Sequence, residues 1–167
     1  MQSGAKKQIL YLINHLLDSF KGTLYRQTMF EEFERKTNLM AEAGQPLTAS
    51  VLSDTYMELN RLYFGPDMVS DDLIAWEWSR IPHFYYNFYV YQYATSFAAA
   101  AAISRRILAG EEGAVDSYLK FLSGGCTKDP ISLLKTAGVD LSTGKVVDEA
   151  LEVFEDAIRQ MEELFGA

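Results

Sequence analysis

The chain is poor in the residues that build most reactive or cross-linked sites. Its 167 residues include one cysteine, two histidines and four prolines. A lone thiol, Cys126, cannot close an internal disulfide, and this favours a reducing compartment. Two histidines, His15 and His83, are too few for a multi-histidine metal centre. No basic patch exists: Lys and Arg are scattered among acids and the net charge is −8, which excludes a nucleic-acid partner. HExxH, CxxC, GxSxG and phosphate-cradling glycine loops are all missing. The segment Met1–Gln8 is polar and basic with no apolar core behind it, so nothing resembles a signal peptide and a cytoplasmic protein is expected. His15 lies beside the Leu12–Leu16 stripe and reads as a helix-surface residue. Cys126, in a glycine-rich turn with only Lys128 nearby, has little to activate it.

What is present is helical periodicity. Ile9, Leu12, Ile13, Leu16, Leu17 and Phe20 recur at a 3.6-residue spacing, and the pattern resumes through Leu24, Met29, Phe30, Phe33 and Leu39. This predicts helix from Ala5 to about Ala41, with a bend or close helix contact at Gly22. Arg26 sits in mostly apolar surroundings and, if buried, needs a carboxylate or carbonyl partner. Thr48 is an N-cap for a helix over residues 49–64, which Gly65-Pro66 ends. Ser70, followed by two aspartates, reads as the cap of a short helix to about Arg80 that carries Ile74, Trp76 and Trp78. Further helices are expected over 113–122, from the Asp129-Pro130 cap to Ala137, and over 145–165, the last with an acidic solvated face. No segment alternates with period two for long enough to form a strand. The expected fold is all-α, a single helical unit over residues 1–167.

One stretch stands apart. From Ile81 to Ser104 the chain reads IPHFYYNFYVYQYATSFAAAAAIS, with no charged residue between Arg80 and Arg105. Pro82 suggests a helix start, and the absence of glycine predicts one helix running on to about Ala109. Tyr86, Tyr89 and Tyr93 then share one face, with Phe84, Phe88 and Tyr91 on an adjacent one. The length suits a membrane span, but His83, Asn87, Gln92 and the phenol hydroxyls do not, and a buried helix is expected instead. The alanine run Ala98–Ala102 predicts a close helix crossing. Two readings of the tyrosines stand open. Converging phenol and imidazole donors can stabilise an oxyanion, and a tyrosine-rich helix can equally be core or interface.

The segments LINHLLDSFKGTLYRQTMFEEFE, LYFGPD and WEWSRIPHFYYNFYVYQYATSFAAA together resemble the C-terminal part of oligoendopeptidase F. That enzyme represents a bacterial branch of the thimet oligopeptidase-like zinc metallopeptidases. The resemblance runs from about Ile9 to Phe165 and implies a mainly helical, channelled fold that hydrolyses short peptides inside the cell. It implies zinc held by an HExxH helix and a glutamate of the next helix, and both elements precede the region seen here. Carried over by motif, His83 and Tyr91 are the catalytic, oxyanion-stabilising pair. Tyr85 or Tyr86 corresponds to tyrosines of the loop that closes over substrate, and Tyr89 or Tyr93 could share the role. The chain would then hold the substrate-contacting side of the site without metal ligands, binding no catalytic zinc and cleaving nothing alone. Two other readings are a stand-alone helical peptide-binding module and an oligomerisation unit. A piece of a larger enzyme should also expose apolar surface meant for the upstream part, with self-association through the Leu12–Phe20 stripe, Phe97 or the alanine run.

Overall fold

A computed structural model describes residues 2–166, and among these there are helices and turns but no strand. The all-α expectation holds. Seven α-helices follow in order: α1 Gln2–Ser19, α2 Arg26–Glu42, α3 Ala49–Phe64, α4 Tyr91–Leu108, α5 Ala114–Ser123, α6 Pro130–Thr136 and α7 Lys145–Gly166. None is long and apolar enough to cross a membrane. The residues fall into two compact units, Met1–Lys21 with Thr95–Ala167, and Gly22–Ala94.

Local signals set most boundaries. The Thr48 hydroxyl accepts the Val51 N–H at 3.3 Å, and Gly65 closes α3 at φ 76°. Asp129 accepts the Ser132 N–H at 2.9 Å, with Pro130 at the first helical position. Two expectations need correction. Gly22 lies in a π-helical turn, Phe20–Tyr25, and an added Cβ there would meet nothing within 4 Å. Its role is a permissive backbone in an over-wide turn, not a close contact. The segment after Gly65-Pro66 is a 3₁₀ helix, Asp72–Arg80, capped by Asp71 and not by Ser70. Asp71 accepts the Leu73 N–H at 2.7 Å, while the Ser70 hydroxyl accepts from Asn60 at 2.9 Å and is spent there.

In the first unit α1 packs on α7. Phe20, almost wholly buried, meets Phe97 edge-on at 4.9 Å and Phe154 at 5.2 Å between ring centroids. Ala98, Ala99 and Ala102 are buried, so the alanine run is packed on one side as its small side chains allow. Arg106 donates to the Ala137 carbonyl at 2.5 Å, and an added Cβ at Gly138 would fall 1.6 Å from its guanidinium. With φ at 78°, a side chain at that position would be strained, and Arg106 would have to move aside. The α1 stripe divides: Ile13 and Phe20 are buried, whereas Ile9, Leu12 and Leu16 are exposed.

The second unit is built on α2 and α3. Its core gathers Met29, Phe30, Phe33, Tyr56, Leu59, Ile81 and Val90, with Trp78 and Phe84 packed against them. A buried carboxylate lies at its centre. Glu77, 5% exposed, accepts from Arg26 at 2.7 Å, from the Tyr56 hydroxyl at 2.6 Å and from Arg80. Arg26 thus has the carboxylate partner its apolar surroundings demanded, and its guanidinium also lies 4.8 Å from the Phe30 ring centre. Burial pushes the Glu77 carboxyl up, but the Tyr56 and Arg26 hydrogen bonds and the charges of Arg26 and Arg80 prevail and hold it below its ordinary value. Burial, then the bond to Glu77, pushes the Tyr56 phenol well up. Trp78 donates to Ser53 at 3.1 Å, and Tyr63 donates to Glu32 at 2.9 Å; burial, then that bond, raises the Tyr63 phenol to about 12.

Glu77→Ala leaves the Tyr56 hydroxyl buried without its acceptor, while the part-exposed arginines recover water. The expected loss is about 2–3 kcal/mol by urea unfolding, with Glu77→Gln losing less. Because the folded-state value lies below the ordinary 4.5, the ionised form contributes stability above that value, and the contribution fades as pH falls through the folded one. Glu77→Gln should remove this part of the acid dependence.

A tyrosine and histidine cluster as the candidate active site

Elementary backbone facts build the site. Pro82 starts a second 3₁₀ turn, Pro82–Tyr85, directly after Ile81 is buried. The Tyr86 N–H closes it on the His83 carbonyl at 3.0 Å. The chain then leaves helical space: Asn87 has φ 52° and Phe88 φ 56°. Two successive non-glycine residues in the left-handed region cost about 1–2 kcal/mol each, so tertiary contacts must hold them. Val90 returns to the core, fully buried, and α4 begins at Tyr91.

The single buried helix expected from Pro82 to Ala109 is therefore corrected to a 3₁₀ turn, a left-handed reversal and an α-helix. The tyrosines are not buried either. Tyr85, Tyr86, Tyr89, Tyr91 and Tyr93 all present surface to solvent, from 74% at Tyr85 to 38% at Tyr93. The cost of desolvating so many phenols does not arise.

The reversal still brings four rings together. His83 stacks on Tyr89 at 5.6 Å and 21°, and meets Tyr86 and Tyr93 edge-on at 6.1 and 5.9 Å. Tyr89 in turn contacts Tyr86 at 6.2 Å and Tyr93 at 5.7 Å. The Tyr93 hydroxyl lies 3.3 Å from His83 Nε2. Hydrogen bonding with Tyr89 raises the Tyr93 phenol above its ordinary 10.0. The sequence face Tyr86–Tyr89–Tyr93 is thus gathered, by a turn and not by a helix. Tyr91 opens α4 two positions before Tyr93, and residues two apart on a helix do not face each other. Tyr85, on the 3₁₀ turn, is the most exposed of the set.

One acid missed in the sequence stands beneath this loop. Glu34 of α2, 3% exposed, accepts the Phe88 N–H through Oε1. Its Oε2, like Oε2 of Glu31, is buried without a hydrogen-bond partner among the described residues. Burial, then the Glu34 charge, raises the Glu31 carboxyl. The available signal was a carboxylate four residues after Phe30, on the same helix face. No group of three or more His, Cys, Asp or Glu side chains among the described residues could hold a metal ion. The residues present do not make a zinc site.

Comparison with known proteins supplies the family. The profile of peptidase family M3 matches residues 1–153, and the chain belongs to that family. Within it the likeness is to the oligoendopeptidases F. The chain is 50% identical over 159 residues to Oligopeptidase PepF of Bacillus subtilis, covering 95% of this chain and 24% of the relative. It is 43% identical over 153 residues to the Group B oligopeptidase PepB of Streptococcus agalactiae, covering 92% and 26%. The crystal structure of oligoendopeptidase-F from Enterococcus faecium superposes with a TM-score of 0.93 at 45% identity, over 96% of this chain and 31% of that one. The chain spans about a quarter of the length of the curated relatives it matches.

The reversal gives a direct test. Asn87→Val, which places a β-branched residue at φ 52°, is expected to cost about 1–2 kcal/mol in urea unfolding, while Asn87→Gly changes stability by less than ~0.5 kcal/mol.

Proposed function

We propose that these residues are the C-terminal portion of the catalytic domain of a zinc-dependent endopeptidase that hydrolyses short peptides in the cytoplasm. The observation that carries the reading is the exposed cluster in which His83 Nε2 and the Tyr93 hydroxyl lie within hydrogen-bonding distance. Membership of peptidase family M3 supports it. In this reading His83 and Tyr91 are the catalytic residues, and Tyr85, Tyr86, Tyr89 and Tyr93 line the peptide.

The chemistry follows from the side chains. When a peptide carbonyl becomes tetrahedral, its oxygen gains negative charge, and neutral O–H and N–H donors aimed at it bind more tightly than they bind the ground-state carbonyl. If Tyr93 donates to Nε2, the imidazole is fixed in the tautomer whose Nδ1 carries the proton. Stacking on Tyr89 fixes its plane. The flat, exposed phenol faces can hold an extended peptide backbone and its apolar side chains at little entropic cost. Zinc is the family's metal, and in this reading its ligands belong to the upstream part of the enzyme. That part is the partner we assign to the exposed Ile9–Leu12–Leu16 stripe. The 167 residues alone then bind no catalytic zinc and cleave nothing.

Mutation in the full-length enzyme tests the roles. His83→Ala is expected to lower kcat/KM about 100-fold or more. Among Tyr91→Phe, Tyr89→Phe and Tyr93→Phe, the phenol that touches the oxyanion is the one whose loss lowers kcat with KM unchanged, and the peptide-lining tyrosines raise KM instead. Full activity in His83→Ala would overturn the assignment.

A further inference from the structure

The tyrosine loop is exposed on its upper side, and its underside is seated on one face of α2. Phe30, Phe33 and Glu34 stand at i, i+3 and i+4, so they share that face. Phe84, next to His83, packs on Phe30 at 5.3 Å and on Phe33 at 5.1 Å between ring centres. Four residues later the Phe88 N–H is taken by the Glu34 carboxylate. The loop is thus held by an apolar contact just after His83 and a hydrogen bond to a buried carboxyl just before Tyr89. Between them lies the left-handed pair Asn87 and Phe88, which the free backbone disfavours.

We propose that Glu34 is the positioning residue of the histidine and tyrosine cluster. Its carboxylate holds the left-handed reversal that lays Tyr89 on His83 and brings the Tyr93 hydroxyl to Nε2. It touches neither substrate nor reacting atoms. Several features single it out. It is 3% exposed, and a carboxylate is buried at a cost that only a specific bond offsets. The group it binds is a backbone amide, so the bond fixes the path of the chain and not one rotamer. Among the described residues the Phe88 amide has no backbone partner in the turn, whose own bonds pass from Tyr86 to His83 and then from Gln92 to Tyr89. Glu77, by contrast, ties α2 and α3 to the preceding 3₁₀ segment and does not reach the loop. The functional consequence rests on the reading of the cluster given above, but the structural claim does not.

Nuclear magnetic resonance on the 167-residue chain tests the structural claim without any assay. In the unsubstituted chain the Phe88 amide should exchange about 10- to 100-fold more slowly than its intrinsic rate, and the His83 ring protons should carry the upfield shift of a ring stacked on Tyr89. Glu34→Ala should abolish both while α3 amides keep their protection. Glu34→Gln, which retains the acceptor oxygen at the same reach, should restore both. An unprotected Phe88 amide in the unsubstituted chain overturns the proposal even if Glu34→Ala does not fold. So does a Glu34→Ala chain whose His83 shift is unchanged, or a folded Glu34→Gln chain that fails to rescue. In the full-length enzyme Glu34→Ala should lower kcat about tenfold, with Glu34→Gln near wild type. Loss of the spectroscopic signature with full activity, alongside full activity in His83→Ala, would refute the functional reading and leave the positioning role standing.

Discussion

The buried Glu77 carboxylate is the constraint on which the second unit depends. It accepts from Arg26 at the start of α2, from Tyr56 within α3 and from Arg80 at the end of the 3₁₀ run. A charge this deep is tolerated only when its acceptor sites are filled by good donors. Meeting that demand fixes three elements relative to one another. Three residues after Arg80 comes His83, so the same interaction delivers the loop that bears the tyrosines. Packing of Phe84 on Phe30 and Phe33 continues the alignment one turn further.

The loop itself turns on backbone conformation. A continuous helix through Tyr86, Tyr89 and Tyr93 would have buried phenols that lack enough partners. The left-handed pair at Asn87 and Phe88 instead folds the chain back, keeps Val90 in the core and leaves the rings facing water. The conformational cost of that pair is repaid by the Glu34 bond and by burial on either side.

Much of this was legible in the sequence. Thr48, Gly65 and Asp129-Pro130 act through bonds to residues three or four positions away, so their meaning is local. The π turn at Gly22 could be placed as an irregularity but not typed, since the same glycine serves a bend or a contact. The loop after Pro82 was misread as helix because its apolar residues fit a 3.6 period by coincidence. Its stop signal is not a glycine or proline but an acid 54 positions earlier in the chain. Spacing put Tyr86, Tyr89 and Tyr93 on one face, although they are gathered by a reversal and not by a helix. Glu34 and Glu77 looked like ordinary charged residues, and only tertiary structure shows them buried.

We propose that this chain carries the substrate-contacting side of a family M3 peptidase whose metal ligands belong to the rest of the enzyme. The most direct measurement is zinc content together with hydrolysis of short peptides by the purified 167-residue chain. The account expects no stoichiometric zinc and no cleavage. One zinc ion per chain with zinc-dependent peptide hydrolysis would contradict it.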